Sequence, residues 1–300
     1  MVKHISGFKD YKKDSEWFFN WAERVQSLNS RKYFRKEVSS KLGKTIVWSY
    51  NEEKTSLPTL VIFPGFRTSP LFWDLDNALK DLAQKVRLFL IETNGQPNPS
   101  DGSNPSIKSN DYGVWAADVL DQLNIDRCYI AGASFGGTVC MKLAIVAPQK
   151  VIAAFLLNPG CLQPFSMALK NLYYNTLPII SPSKKNVVKF LEKAVFCLPN
   201  HDLKGERRDL IVDFQMFALT RYNDKTEKPY YMNVELTNVS SDVYLLLGDK
   251  DILFPTAKSA ANAKSKLKNL KETFILPDIG HGIETDKRAM DIIERVIKLA

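Results

Sequence analysis

The clearest potential for chemistry lies at Ser134, in the sequence Gly-Ala-Ser-Phe-Gly. The mostly apolar run Arg127–Ile130 before it reads as a short buried strand, and Thr138–Val146 after it has helical spacing without a breaker. A strand, a Gly-x-Ser-x-Gly sequence and a helix together predict a nucleophile elbow, a turn that needs small residues at the positions of Gly132 and Gly136. The hydroxyl would then stand at a helix N-terminus, which favours developing negative charge. The alternative is a turn in which this common pattern occurs by chance.

A base is the next requirement, because a serine hydroxyl is a poor nucleophile until its proton is removed. The sequence contains three histidines. His4 lies in the terminal tail and His201 in a region of helices, whereas His281 follows the last predicted strand. A loop after that strand reaches the same sheet edge as the elbow, so we predict that His281 is the base. The alternative is a structural loop histidine.

A carboxylate is needed to orient the histidine, and two candidates follow the strand that ends at Gly248. Asp251 is followed by apolar residues, a setting that suits a buried acid, and we predict that it pairs with His281. Asp249 is the better candidate for capping the following helix, which is the alternative use of these residues. The order Ser134, Asp251, His281 along the chain is that of one class of hydrolases.

The tetrahedral intermediate of acyl transfer needs two N–H donors. Phe135, directly after Ser134, offers one. The loop after Phe63, through Phe66, is placed to offer the other, although a tight turn at the strand end explains the same residues.

Hydrophobic periodicity predicts the elements that position these residues. Before residue 161 they are a helix at Asp14–Ser27, a hairpin of Phe34–Val38 and Thr45–Tyr50, a strand at Thr59–Phe63, a helix at Leu71–Gln84, a strand at Val86–Glu92, a long loop at Thr93–Asn110, a helix at Asp111–Leu123 and a strand at Val151–Leu157. After it they are helices at Asn186–Val195 and Glu206–Thr220, then a strand at Val243–Leu247, a helix at Thr256–Leu267, a strand at Glu272–Leu276 and a helix at Glu284–Leu299.

This alternation predicts an α/β protein with a doubly wound, mostly parallel sheet and an inserted helical cap. We assign residues 1–33 to an N-terminal helical extension. Residues 34–160 and 242–300 form the predicted core, and residues 161–241 the cap over the strands' carboxyl ends. Trp17 and Trp21 lie one helical turn apart, so we expect the first helix to dock through them on the core or on a second subunit.

Composition narrows the classes of function. Apolar residues make up 45% and charged residues 25% of the 300 residues, a usual balance for a soluble domain. No run of 18 apolar residues predicts a membrane span, and no export signal is apparent at the N-terminus. The four cysteines lack metal or redox spacing, so we expect reduced thiols in a cytoplasmic protein without a metal or other cofactor.

The net charge of +8 is concentrated near the N-terminus, where residues 1–50 hold 11 Lys and Arg against 5 Asp and Glu. Such a basic region could meet nucleic acid or an anionic membrane. No nucleic-acid motif accompanies it, so we favour a solvated face and expect no nucleic-acid partner. The sequence leaves the oligomeric state open.

The motifs together resemble those of the α/β-hydrolase superfamily, specifically its capped carboxylesterase-like members, over about residues 34–300. The residues that carry the resemblance are Phe63-Pro64-Gly65-Phe66, Gly132-Ala133-Ser134-Phe135-Gly136-Gly137, Gly248-Asp249-Lys250-Asp251 and Gly280-His281. The resemblance implies Ser134 as nucleophile, Asp251 as acid, His281 as base, and Phe66 and Phe135 as backbone donors.

Two departures from the family pattern stand out. Pro64-Gly65 replaces the common His-Gly, which affects the geometry of the first donor. The segment from Glu92 to Ser100 stands where the family often has Asp-x-x-Gly-x-Gly-x-Ser.

We therefore expect a serine hydrolase that cleaves an apolar carboxylic ester through an acyl-enzyme. Phe72, Phe165 and Phe217 are the expected lining of the substrate pocket. The alternatives are a thioesterase or acyltransferase with the same triad, and a binding protein that keeps the fold without turnover.

Overall fold

The computed structural model describes residues 6–299, in which eight strands form one sheet in the order β1-β2-β4-β3-β5-β6-β7-β8. The strands are β1 (Phe34–Ser40), β2 (Gly43–Tyr50), β3 (Thr59–Phe63), β4 (Arg87–Ile91), β5 (Cys128–Ala133), β6 (Val151–Leu157), β7 (Asp242–Gly248) and β8 (Leu270–Leu276). The β1–β2 hairpin and the β2–β4 pair are antiparallel, and the other pairs are parallel. The predicted doubly wound sheet is confirmed.

The α-helices of the described chain lie between and around these strands. They are α1 (Tyr11–Leu28), α2 (Asp111–Gln122), α3 (Phe135–Val146), α4 (Leu169–Ile180), α5 (Lys184–Phe190), α6 (Glu206–Arg221), α7 (Thr256–Lys266) and α8 (Lys287–Leu299). None of the helices in residues 6–299 is both long enough and apolar enough to cross a membrane.

Both faces of the central strands are covered, which is why their sequences are continuous apolar runs. Every residue of β3 and β5 is buried. One apolar cluster joins α1 and α8 to the sheet, and a second joins α2, α3 and α7 to its other face. Because β3 to β8 pair in parallel, their carboxyl ends meet at one edge of the sheet, between two helical layers.

The predicted helix at Leu71–Gln84 is wrong. The structure has two short 3₁₀ segments there, Pro70–Asp74 and Leu82–Gln84. Between them Asn77 takes a left-handed conformation with φ 56°, which ends helical winding. Asp74 is also held away from solvent by the Arg31 guanidinium, 2.5 Å from its carboxylate, and this buried pair fixes the segment against the end of α1.

The chain between β6 and β7 consists mainly of helices. After α4 and α5, one π-helical turn at Leu191–Val195 leads towards α6. The part that follows α6 returns to the core, because Met232 and Leu236 are buried in the cluster of α2, α3 and α7. Buried Lys142 of α3 anchors this return through an ion pair of 2.6 Å with Glu235.

Helix α1 packs against α6 through the two tryptophans selected from the sequence. Trp21 is 2% exposed, and its Nε1–H donates to the carbonyl of Leu210 at 3.0 Å. Trp17, which is only partly buried, stacks on Phe217 with ring centroids 4.0 Å apart. The N-terminal helix is therefore docked on the helical segment between β6 and β7 as well as on the core.

Candidate active site

Ser134 occupies the sharp turn between β5 and α3. Its φ of 51° and ψ of −112° lie in a region that is costly for a residue with a side chain. The turn also requires glycine beside it, because a Cβ on Gly132 would lie 2.3 Å from the carbonyl of Gly136, and one on Gly136 would lie 2.1 Å from the oxygen of Phe63. The local geometry is thus the strand, strained turn and helix expected of an elbow.

His281 and Asp251 are brought together from the loops after β8 and β7. The distance between His281 Nδ1 and Asp251 Oδ2 is 2.8 Å, and the Asp251 side chain is fully buried. Its other oxygen accepts the N–H groups of Leu253 and Phe254 at 2.8 and 3.1 Å. Asp249, in contrast, has a side chain that is 28% exposed. Asp251 is therefore the carboxylate that can hold the imidazole.

The environment of His281 adjusts its basicity. Burial lowers the pKa of the imidazole, but the charge of Asp251 and the hydrogen bond to it outweigh burial, so the pKa is raised from its usual 6.5. With Nδ1–H donating to Asp251, Nε2 is left to accept a proton.

Asn158, at the end of β6, supports the His281 loop. Its Nδ2 donates to the carbonyls of Gly280 and His281 at 2.9 and 3.1 Å, while its Oδ1 accepts the N–H of Gly248 at 2.9 Å. One amide side chain thus joins the ends of β6, β7 and β8. Asn158 was not among the residues selected from the sequence as part of the site.

His201 supports the same loop from the helical segment. Its Nδ1 accepts the N–H of Gly280 at 3.4 Å, which leaves Nε2–H to donate to Thr285 Oγ at 3.0 Å. Burial lowers the pKa of His201 to about 4, so it stays neutral at physiological pH. Next to it, Val195 of the π-helical turn accepts the N–H of Gly282 at 2.9 Å. His201 is therefore a structural partner of the His281 loop.

Phe66 and Phe135 lie side by side next to Ser134. Their rings stack at 4.1 Å with an interplanar angle of 12°. Gly65 borders the serine, since a Cβ on it would lie 3.4 Å from the Ser134 Cβ. Within residues 6–299 neither backbone N–H of the two phenylalanines has an acceptor, as expected at the first position of a helix for Phe135. Both amides are therefore unpaired within the described chain, as the predicted oxyanion donors would have to be.

The loop that carries Phe66 is held through the next residue, Arg67. Arg67 has φ 54°, and its N–H donates to Gln96 Oε1 at 2.9 Å. Its carbonyl accepts Gln215 Nε2 of α6 at 3.1 Å, and its Nε binds Asp224 at 2.6 Å. The loop after β4, helix α6 and the segment after α6 therefore meet at this one residue.

Glu92 holds the other end of the Phe66 loop. Its Oε1 accepts Ser69 Oγ at 2.6 Å and Trp48 Nε1 at 3.0 Å, and its Oε2 has no partner among the described residues. Burial raises the pKa of Glu92 to about 8, although both hydrogen bonds act in the opposite direction. Neither Glu92 nor Gln96 was selected from the sequence as a supporting residue.

Phe165 is the predicted pocket residue with contacts beside the site. Its ring meets that of Phe254 at 5.9 Å, and Phe254 in turn lies 5.6 Å from the His281 ring. A Cβ on Gly160 would be 3.4 Å from Phe254 and 3.7 Å from the backbone of Ser134. Ser134 and His281 thus share this apolar neighbourhood.

Phe72 and Phe217 lie in a different cluster. Phe72 is 2% exposed and meets Trp21 and Phe214, whereas Phe217 stacks on Trp17. Both rings are accounted for by packing between α1, α6 and the core. These contacts give no support to their assignment to the substrate pocket.

Comparison with known proteins agrees with the fold. A family model described as "alpha/beta hydrolase fold" matches residues 58–178, and one described as "BAAT / Acyl-CoA thioester hydrolase C terminal" matches residues 119–286, more than half of the chain. The chain belongs to the α/β-hydrolase superfamily. Among its relatives is the "Uncharacterized carboxylesterase nap" of Bacillus subtilis (strain 168), 22% identical over 98% of this chain and 92% of that protein.

Solved structures of α/β-hydrolases have the same architecture. Naproxen esterase (carboxylesterase NP) from Bacillus subtilis superimposes with a TM-score of 0.79 at 23% identity, over 95% of this chain and 98% of that one. Carboxylesterase CesB (YbfK) from Bacillus subtilis gives 0.76 at 17% identity, over 95% and 97%. The prediction of a carboxylesterase-like α/β-hydrolase is confirmed.

Proposed function

We propose that this α/β-hydrolase is a serine carboxylesterase that uses Ser134, His281 and Asp251 as its triad. The observation that carries the proposal is the 2.8 Å hydrogen bond between His281 and buried Asp251, in the neighbourhood of a serine held in a strained turn. Relatives named as carboxylesterases support an ester as the substrate.

The proposed reaction has two halves. In the first, His281 Nε2 takes the proton of Ser134 while the serine oxygen attacks the acyl carbon, and the alcohol leaves with that proton. In the second, His281 activates a water that cleaves the acyl-enzyme. Asp251 stabilises the imidazolium in both halves, and the free N–H groups of Phe66 and Phe135 bind the oxyanion.

Substitution of the nucleophile tests the proposal. Ser134→Ala should retain the fold and reduce kcat for p-nitrophenyl butyrate by about 10³-fold or more, since triad members act as a unit. A fluorophosphonate probe should label the wild type and Ser265→Ala, an exposed serine variant, but not Ser134→Ala. Hydrolysis by Ser134→Ala within tenfold of wild type would show that the nucleophile is another residue. Failure of the wild type to react with the probe would favour a binding protein without turnover.

We propose an apolar acyl group as the preferred substrate moiety and the helical region 161–241 as the cap above it. Phe165, Phe254 and Leu253 form an apolar cluster next to the His281 ring, and this supports a pocket to which each buried methylene adds about 0.8 kcal/mol of binding free energy. For acetyl, butyryl, hexanoyl and octanoyl esters, kcat/KM should rise over the first methylenes. A flat series, or preference for an anionic ester, would contradict an apolar pocket.

A thioester is the second candidate substrate, because the family model matching residues 119–286 is described by acyl-CoA thioester hydrolases. The same triad attacks either carbonyl. Comparing kcat/KM for an ester and a thioester of the same acyl chain separates the two, and a strong preference for the thioester would assign thioesterase activity.

A further inference from the structure

Helix α4 and the segment just before it expose an apolar patch to solvent, made of Met167, Leu169, Tyr173, Ile179 and Ile180. Their exposed fractions are 73, 85, 50, 47 and 80%. Leu169, Tyr173 and Ile180 are spaced by four and seven residues, so they share one face of the helix. Large apolar side chains grouped in this way mark an interaction site, because exposing such a surface to water is unfavourable.

The opposite face of α4 is turned inwards. Asn171 and Pro178 are buried, and Tyr174 packs with Phe165 in the cluster that includes Phe254, the neighbour of His281. The outward apolar face is therefore not needed for packing of the protein itself. One helix separates the candidate active site from the patch.

Lysines are frequent in the stretch of the chain that carries the patch. Residues 164–195 contain five lysines and a single acidic residue, Glu192, which binds Arg208. Lys189 donates to Tyr173 Oη at 3.1 Å and lies over its ring, which places a cation at the border of the patch. Lys184 is paired with Asp213. The other three, Lys170, Lys185 and Lys193, make no ion pair within residues 6–299.

We propose that this face of α4 docks on a lipid surface that contains anionic phospholipid. Apolar residues in the plane of a helix with lysines at its border are the pattern of interfacial helices, whose cations bind the headgroups while the apolar side chains enter the acyl boundary. A second copy of the chain is the less favourable occupant. In a two-fold interface the same surface of both copies meets, so the lysines of one copy would repel those of the other.

Docking of α4 would bring the cap and the site beneath it next to the membrane. The substrate would then be an acyl ester taken from or dissolved in the lipid surface, and this step rests on the proposed function. The docking itself does not depend on catalysis.

Vesicle co-sedimentation of the full chain tests the docking. Wild type should bind vesicles of equal phosphatidylglycerol and phosphatidylcholine at least tenfold more tightly than vesicles of phosphatidylcholine alone, and binding should weaken as salt is raised. Leu169→Ser with Ile180→Ser, and separately Lys170→Gln with Lys185→Gln and Lys193→Gln, should each reduce binding about tenfold or more. The matched control, Val234→Ser with Ile275→Ser, removes two exposed apolar groups elsewhere and should bind as wild type.

Several results would overturn the proposal. Equal binding to both vesicle types, or no binding by a wild type that is folded by circular dichroism, would exclude an anionic lipid surface. A wild-type dimer that becomes monomeric on Leu169→Ser with Ile180→Ser would assign the patch to a second copy. Leu169 and Ile180 lie outside the candidate triad, so their replacement should leave the hydrolysis of soluble p-nitrophenyl butyrate unchanged. If the wild type does not hydrolyse this ester, the proposed esterase function is contradicted. The vesicle experiment still decides whether α4 docks on lipid.

Discussion

At the scale of single residues, the strongest electrostatic coupling in the candidate site joins Asp251 to His281. The Asp251 side chain has no exposed surface, and two backbone N–H groups hold its second oxygen. A carboxylate bound in this way stays oriented while the imidazole gains and loses a proton. The raised pKa of His281 is the consequence, and in the proposed mechanism it sets the pH at which His281 is available as a base.

The pH dependence of kcat/KM should show this coupling. His281 acts as a base only when neutral, so activity should fall as pH drops through a pKa that lies above 6.5. Asp251→Asn should reduce kcat by about 10³-fold or more and move that acid limb to lower pH, because the charge that raises the pKa is gone. Asp249→Asn is the control and should change kcat and the position of the acid limb only slightly. Reversed effects would assign the orienting role to Asp249.

Glu92 should make stability depend on pH. Its pKa is raised from 4.5 to about 8 in the folded state, so between these values the folded protein holds a proton that the unfolded chain releases. The free energy of unfolding should therefore fall as pH rises through this window. Glu92→Gln keeps an acceptor for Ser69 and Trp48 and should remove this part of the slope, so that the variant gains stability relative to wild type from pH 5 to 9. Urea unfolding at each pH measures the free energy of unfolding of both proteins. If it changes with pH equally in wild type and in Glu92→Gln, Glu92 is ionised in the folded state.

At the scale of elements, the loop between β3 and the first 3₁₀ segment is held at both ends. Glu92 binds Ser69, and Gln96, which is 2% exposed, binds Arg67 and also donates to Thr226 at 2.9 Å. A loop with free N–H groups stabilises an oxyanion only if it does not have to reorganise during the reaction. The segment after β4, which departs from the family pattern, provides both of these contacts.

Loss of the Gln96 contact should affect the reaction more than binding. Gln96→Ala frees the Arg67 N–H and loosens the Phe66 donor, so kcat should fall about tenfold or more with little change in KM, since a complete oxyanion donor is worth about 10²- to 10³-fold. Gln149→Ala, at an exposed glutamine, serves as the control. An unchanged kcat, or a rise in KM alone, would mean that Gln96 does not position the donor.

At the scale of the whole molecule, α1 connects the beginning of the chain to the helical segment and the core. Trp21 donates to Leu210 and meets Phe72 and Phe214, and the Arg31–Asp74 pair lies just beyond the helix. The N-terminal extension is thus part of the packing. Residues 1–50, which carry the excess positive charge, therefore include a helix that is docked through its apolar face.

Removal of the Trp21 side chain should destabilise the protein. Trp21→Ala leaves a large cavity and removes the indole hydrogen bond to the Leu210 carbonyl, and it should lower the free energy of unfolding by about 3–5 kcal/mol. Trp17→Ala, at a partly exposed position, should cost less. Deletion of residues 1–30 should lower Tm further. An unchanged Tm after this deletion would mean that the helix does not contribute to the fold in solution.

The sequence by itself determined the features that depend on near neighbours. The elbow at Ser134 follows from glycines two positions away and from the periodicity of the strand and helix beside it, and the alternation of elements predicted the sheet. Local pattern failed at Leu71–Gln84, where Asn77 and the distant pairing of Asp74 with Arg31 overrode helical spacing.

Only the tertiary structure decided which polar groups meet. Asp249 and Asp251 follow the same strand, and the conformation of their loop, held by two backbone N–H groups, selects the one that reaches His281. Asn158 and His281 are 123 positions apart, yet their groups are hydrogen-bonded. Gln96, in the segment after β4, binds Arg67, in the loop after β3. Packing of whole layers sets these pairings, as it sets which apolar side chains face inwards. Hydrophobicity alone could therefore not separate Phe72, enclosed beside α1, from Leu169, exposed on α4.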